Sequence, residues 1–137
     1  MRAMLDLAQH YSEGLSLVKD IAKRQEISER YLEHLFLSLK TARLVKSIRG
    51  AHGGFTLARP PSEIKMIEIV QVCEGPLAIV DCILDAGVCT RSSQCATRDI
   101  WKELQSAMDD VLGSMTLQDL VERQLAKQES SVNTYNI

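Results

Sequence analysis

The stretch "VDCILDAGVCTRSSQCATRDIW" carries Cys82, Cys89 and Cys95, separated by six and then five residues. A thiolate is a metal ligand, a nucleophile or a disulfide partner. Zinc knuckles pair their cysteines about two to four residues apart; these gaps are longer and no histidine lies nearby. A disulfide would leave one thiol over. Three thiolates on a polar loop suit an iron–sulfur cluster, which takes about four protein ligands at looser spacings. Inert loop cysteines are the competing reading. Cys73 is a separate case: it follows Val70 and Val72 in an apolar helical pattern and reads as a small core hydrophobe. The fourth ligand of any cluster is therefore open, with Asp81, Asp85, Cys73, a residue of a partner subunit or one ahead of Met1 as candidates. Arg98, three residues beyond Cys95, has no lone pair to give.

The setting favours reduced thiols. The opening "MRAMLDLAQHYSEG" has an acid inside its apolar part, unlike a secretory signal, and no apolar run nears the roughly 20 residues of a membrane span. A cytoplasmic protein with no membrane contact is expected, where close cysteines point to metal or redox chemistry. No His–Cys pair or carboxylate pair argues for an enzyme.

These thiols have to be positioned by something. "AMLDLAQHY" places Met4, Leu5, Ala8 and Tyr11 at helical spacing; with no capping residue ahead of it, this helix is expected to start before Met1. "LSLVKDIAKRQEIS" follows, with Ser16 as cap and Val18, Ile21 and Ala22 inward. "SERYLEHLFLSLKTARLV" is a second helix capped by Ser28, with Tyr31, Leu32, Leu35, Phe36 and Leu39 as its apolar stripe. Two short helices this close form a helix-turn-helix pattern. Glu26 falls where the turn favours a left-handed residue, at a cost of roughly 1 kcal/mol for a non-glycine. "LVKSI" and "FTLAR" alternate like strands around the tip "RGAHGG". Helices followed by a basic, glycine-rich hairpin make a winged helix.

Charge agrees with that reading. Residues 17–65 hold ten Lys/Arg against five Asp/Glu, while residues 66–137 hold five against eleven. A basic segment beside an acidic remainder fits an anionic partner such as double-stranded DNA, with an ordinary solvated surface as the competing reading. A recognition helix meets base edges with its first turns. Ser28, Arg30, Glu33 and His34 are the outward candidates, joined in the wing by Arg49, His52 and Gly53. Glu33 makes sense against DNA only by accepting from a cytosine amino group. Lys19, Lys23, Lys40, Arg43, Lys46 and Arg59 are phosphate candidates.

Further on, a helix carries Ile67 and Val70, then the cysteine loop. "TRDIWKELQSAMDDVLGSM" is a helix capped by Thr97, with Trp101, Leu104, Met108, Val111 and Met115 on a heptad-like seam. That seam asks for a second subunit, with ordinary core packing as the competing reading over so short a run. Thr116 and Asp119 open a last helix as a capping box. The expected organisation is a winged helix over 1–61, a connecting helix and cysteine loop over 62–96, dimerisation helices over 97–128 and a flexible tail over 129–137. The fold class is mainly α, with a small two-stranded β wing.

Together, "RAMLDLA", "DIAKRQEISERYLEHLFLSLKTARLVKSIRGAHGGFTLARP", the cysteine loop with "TRDIW", and "TLQDL" resemble the Rrf-two family of bacterial transcription regulators, in its IscR- and NsrR-like branches. The resemblance spans roughly residues 2–125. It implies a homodimeric winged-helix repressor on a palindromic operator. It also implies a 2Fe–2S or 4Fe–4S cluster on Cys82, Cys89 and Cys95, sensing cluster status, redox state or nitric oxide. By position it makes Glu33 a base-discriminating residue and Arg49 part of the wing. Arg98 stands where the resemblance implies a histidine ligand. A cluster-free, CymR-like regulator answering a small metabolite or a partner protein is the alternative.

Overall fold

The computed structural model describes residues 1–134. The chain runs α1 (Arg2–Gln9), α2 (Val18–Gln25), α3 (Glu29–Thr41), β1 (Val45–Ile48), β2 (Gly54–Leu57), α4 (Met66–Glu74), α5 (Asp81–Leu84), α6 (Ala96–Ser114) and α7 (Leu117–Thr134), with single 3₁₀ turns in the connections. The two strands pair antiparallel, Val45 facing Leu57 and Ile48 facing Gly54. The architecture is mainly helical with a two-stranded wing, as expected.

The apolar stripes converge on one core. Met4 and Leu7 of α1, Ile21 of α2, Leu32, Phe36 and Leu39 of α3, and Ile69 of α4 are buried together with Leu57 of the wing. Phe36 stacks on Phe55 with ring centroids 4.7 Å apart, joining α3 to β2. Tyr31 leaves this stripe: it is 57% exposed, at the rim of a surface hollow that it shares with Arg2 and Ala3 of α1 and with Glu26 and Ile27 of the turn before α3. On α4 the fully buried positions are Met66 and Ile69, while Ile67 and Val70 are half-buried.

The turn between α2 and α3 is built as the sequence indicates. Glu26 is left-handed at φ 53° and ψ 48°. The Ile27 amide donates to the Ala22 carbonyl at 3.0 Å, and the Ser28 hydroxyl accepts from the Tyr31 amide at 3.4 Å. Ser16 does not cap α2. Leu17 occupies that position, and the Ser16 backbone instead pairs with Phe55 through two bonds of 2.8 Å. The reason is the open edge of β2, whose backbone groups need partners. A Cβ at Gly54 would lie 2.7 Å from the Ser16 carbonyl oxygen, and one at Gly53 would collide with that of Ile48.

A buried carboxylate locks α1 to α2. Asp6 is 1% exposed. It accepts from Arg24 at 2.6 and 3.0 Å and from Gln25 at 3.0 Å. Burial would push its carboxyl up, but these hydrogen bonds, with the charges of Arg24 and His10, hold it below the ordinary carboxylate range.

The last two helices are not an appendage. Leu117 and Val121 of α7 are buried in the same core as α1. The corner between α6 and α7 is stitched to the start of α4: the Met66 amide donates to Met115 O at 2.9 Å, and the Leu117 amide to Ile64 O at 2.8 Å. The Thr116–Asp119 capping box forms, with Asp119 accepting from the Thr116 amide at 2.7 Å and the Asp119 amide reaching the Thr116 hydroxyl at 3.2 Å. α7 continues to Thr134, beyond residue 129, where a tail was expected; residues 135–137 lie outside the described residues. No helix among the described residues is long and apolar enough to cross a membrane.

Candidate functional site

Two features stand out. The first is the face formed by α3 and the wing. Arg30, Glu33 and His34 are exposed along α3, as are Arg49 and His52 at the hairpin tip. Glu33 has no ion-pair or hydrogen-bond partner among the described residues. The Ser28 hydroxyl is already used as the α3 cap, and Gly53 is required by closure of the hairpin itself.

Lys19, Lys23, Arg43 and Lys46 are exposed. Lys40 donates to the Ser47 hydroxyl at 2.6 Å, tying α3 to β1. Arg59 is occupied elsewhere, bonding Glu68 at 2.7 Å and the Glu63 carbonyl at 3.1 Å, so it is a strut of the wing's base. Between α3 and the wing lies a cleft of about 290 Å³.

The second feature is the cysteine loop. Cys82 lies on α5, Cys89 is exposed between two 3₁₀ turns, and Cys95 is the N-cap residue of α6. The expected cap, Thr97, sits inside the first turn, its hydroxyl 3.0 Å from the Cys95 sulfur. That contact, with backbone amides of the helix start, lowers the Cys95 thiol below its ordinary range. Cys73 differs: burial on α4 pushes its thiol up, consistent with packing. The Arg98 side chain donates to the Cys82 carbonyl through two nitrogens, at 3.0 and 2.9 Å. Of the other fourth-ligand candidates, Asp85 accepts from the Gly87 amide at 2.8 Å and Asp81 is exposed.

The donor set of three thiols suits a cluster chemically. As placed in one chain, it does not complete one: among the described residues no three His, Cys, Asp or Glu side chains form a group able to hold a metal ion.

Along α6 the predicted seam divides. Trp101, Met108 and Met115 are half-buried, whereas Leu104 and Val111 are 43% and 58% exposed. Ile100, which lies off the predicted seam, is 58% exposed. A spacing count could have found it, since Ile100, Leu104 and Val111 fall at intervals of four and seven.

A helix-turn-helix, a hairpin wing and a basic face define a winged-helix DNA-binding protein. Residues 1–123 match the family model described as "Rrf2: Iron-dependent Transcriptional regulator". The chain belongs to this Rrf2 family of transcription regulators, and its relatives are named regulators, not enzymes. It is similar to the structure of T. potens IscR, with 41% identity and a TM-score of 0.74, covering 90% of this chain and 80% of that one. It is equally similar in shape to CymR, titled the global cysteine regulator of B. subtilis, with a TM-score of 0.74, 39% identity and 88% of each chain covered. The rrf2 protein of Nitratidesulfovibrio vulgaris is 42% identical over 120 residues, 88% of this chain and 80% of that protein.

Proposed function

We propose that two copies of this chain pair through α6 and place their α3 helices on a palindromic operator as a cytoplasmic repressor, with the state of the cysteine loop setting their grip. Arg30, Glu33, His34, Arg49 and His52 are the DNA-facing residues. Trp101, Leu104, Met108, Val111 and Met115 flank the dimer contact. One observation carries the coupling: Cys95 is the residue on which α6 begins, and Arg98, one turn further on, bonds the backbone at Cys82. A rearrangement of the loop therefore acts directly on the helix assigned to dimerisation. To shift a two-state equilibrium, the signal must favour one arrangement by a few kcal/mol.

The donor chemistry supports an iron–sulfur centre on Cys82, Cys89 and Cys95, sensing cluster status, redox state or nitric oxide, with its remaining ligand drawn from outside the loop. A cluster-free, CymR-like response to a metabolite or partner protein is favoured by the bonded Arg98 and the unconverged thiols. Iron and sulfide analysis with visible spectroscopy on anaerobically prepared full-length protein separates the two. Colour that disappears in Cys89→Ala supports the cluster, and a colourless, iron-free protein whose operator binding is unaffected by replacing all three thiols ends that reading.

A further inference from the structure

The α3–wing face is basic, yet its centre is not. Leu37 is 66% exposed and Ile48 56% exposed. Both line the cleft between α3 and the wing, with Glu33, Lys40, Arg49 and Phe55 among the other residues around it. Leu37 lies one helical turn beyond Glu33, so the two side chains share a face of α3. Ile48 is the last residue of β1, directly before Arg49. Leu32, Phe36 and Leu39 fill the core from α3, with Phe36 also forming part of the cleft wall, whereas Leu37 is neither in that core nor packed against it.

Two large aliphatic side chains held in water between cations need an apolar partner within a polyanion. Base edges in the major groove offer hydrogen-bond donors and acceptors and one apolar group, the C5-methyl of thymine. The surrounding charge fits the same occupant. Lys40 uses one donor on Ser47 at 2.6 Å and keeps others for a phosphate. Arg49 is exposed beside it, and residues 17–65 carry ten Lys/Arg against five Asp/Glu.

We propose that Leu37, flanked by Ile48, is a specificity-determining residue that contacts the C5-methyl of a thymine next to the base pair met by Glu33. This rests on the DNA-facing assignment of α3. The operator would then be read by an acid and an aliphatic side chain a helical turn apart, one selecting by hydrogen bond and the other by shape.

The test begins by selecting duplexes from a random-sequence library with the full-length protein. Each thymine of the selected duplex is then replaced by uracil in turn, which removes only the methyl. Wild-type protein is expected to lose about fourfold in affinity at one position per half-site, the worth of a buried methyl. Leu37→Ala should bind thymine and uracil equally there, Leu37→Met should keep the preference, and neither should change the salt dependence, since no charge is altered. The proposal is overturned if no thymine-to-uracil change weakens the wild type, or if Leu37→Ala keeps the wild-type ratio at every position, as a protein-docking role for this pair would give. Recovery of no duplex at all would bring down the DNA-facing assignment as well.

Discussion

Arg98 holds the carbonyl oxygen of Cys82 with two N–H donors, at 3.0 and 2.9 Å. The first cysteine of the loop is thereby fastened to the first turns of α6, while the third, Cys95, is that helix's N-cap. Arg98→Ala is expected to accelerate amide exchange across residues 82–95 several-fold, while the melting temperature moves little, because α5 contributes no fully buried side chain. Hydrogen exchange read by mass spectrometry checks this; a clear drop in melting temperature with unchanged loop exchange would refute it.

Asp6 predicts an acid-labile link within the DNA-binding domain. Its folded pKa is held below the unfolded value near 4. The charged form is therefore the one favoured by folding. Its contribution is complete above about pH 4 and drains away as pH falls through the lower folded value. Asp6→Asn, which keeps the shape but weakens the bonds from Arg24, should cost about 2–3 kcal/mol at neutral pH. It should also flatten the acid limb of the stability curve. Urea denaturation between pH 3 and 7 measures both, and an unchanged acid limb would remove Asp6 from the explanation.

Glu33 stands exposed on α3, with no partner among the described residues. A carboxylate there is repelled by phosphates, so its presence is explained by selectivity. Glu33→Ala should reduce discrimination at one base pair by about tenfold, within the 1–3 kcal/mol typical of a base contact, while binding to other sequences holds or rises. Competition between the selected duplex and single-base variants shows which occurs; uniform weakening at every site would assign Glu33 a structural role.

Val111 is 58% exposed on α6, with Leu104 and Ile100 on the same side. Val111→Glu puts a charge on this face without touching the core. The expected result is a folded monomer in light scattering, with half-site DNA affinity retained and affinity for the full palindrome sharply reduced. Persistence of a dimer would move the subunit contact away from this face.

The Thr97 hydroxyl, 3.0 Å from the Cys95 sulfur, helps hold that thiol below its ordinary pKa. In metal-free protein, Thr97→Val should slow alkylation of Cys95 near neutral pH and move its pH profile upward, leaving Cys89 unaffected. Residue-resolved labelling kinetics provide the readout, and equal slowing at both cysteines would indicate a general change in the loop instead.

Legibility from sequence followed locality. The Ser28 cap, the left-handed Glu26 and the Thr116–Asp119 box are each written within four residues, and each formed as read. What escaped depends on partners far along the chain. Ser16 looked like a cap, but β2 claimed its backbone. Asp6 showed only as an acid inside an apolar stretch, because the Arg24 and Gln25 side chains that surround it lie 18 and 19 residues on. Arg59 looked free for DNA until Glu68 arrived beside it. The cysteine loop was visible from its polar composition, yet the short α5 helix and the Arg98 bond inside it were not, because a four-residue helix is too short to show a period. Family membership depends on none of these details, since it rests on motifs spread over the length of the chain.

The two ends of α6 are anchored very differently. At the Met115 end, backbone bonds to Ile64 and Met66 and the buried Leu117 pin the helix to the domain interior. At the other end lie the loop and its thiols. Nineteen residues separate these conditions, a rod of ~28 Å at the α-helical rise. Pivoting the rod by about 5° around its pinned end sweeps the Cys95 end through ~2.5 Å, roughly half the pitch of a helical turn. A modest change in sulfur geometry is thus matched, by simple leverage, to a very small rotation of α6 against the domain it is pinned to.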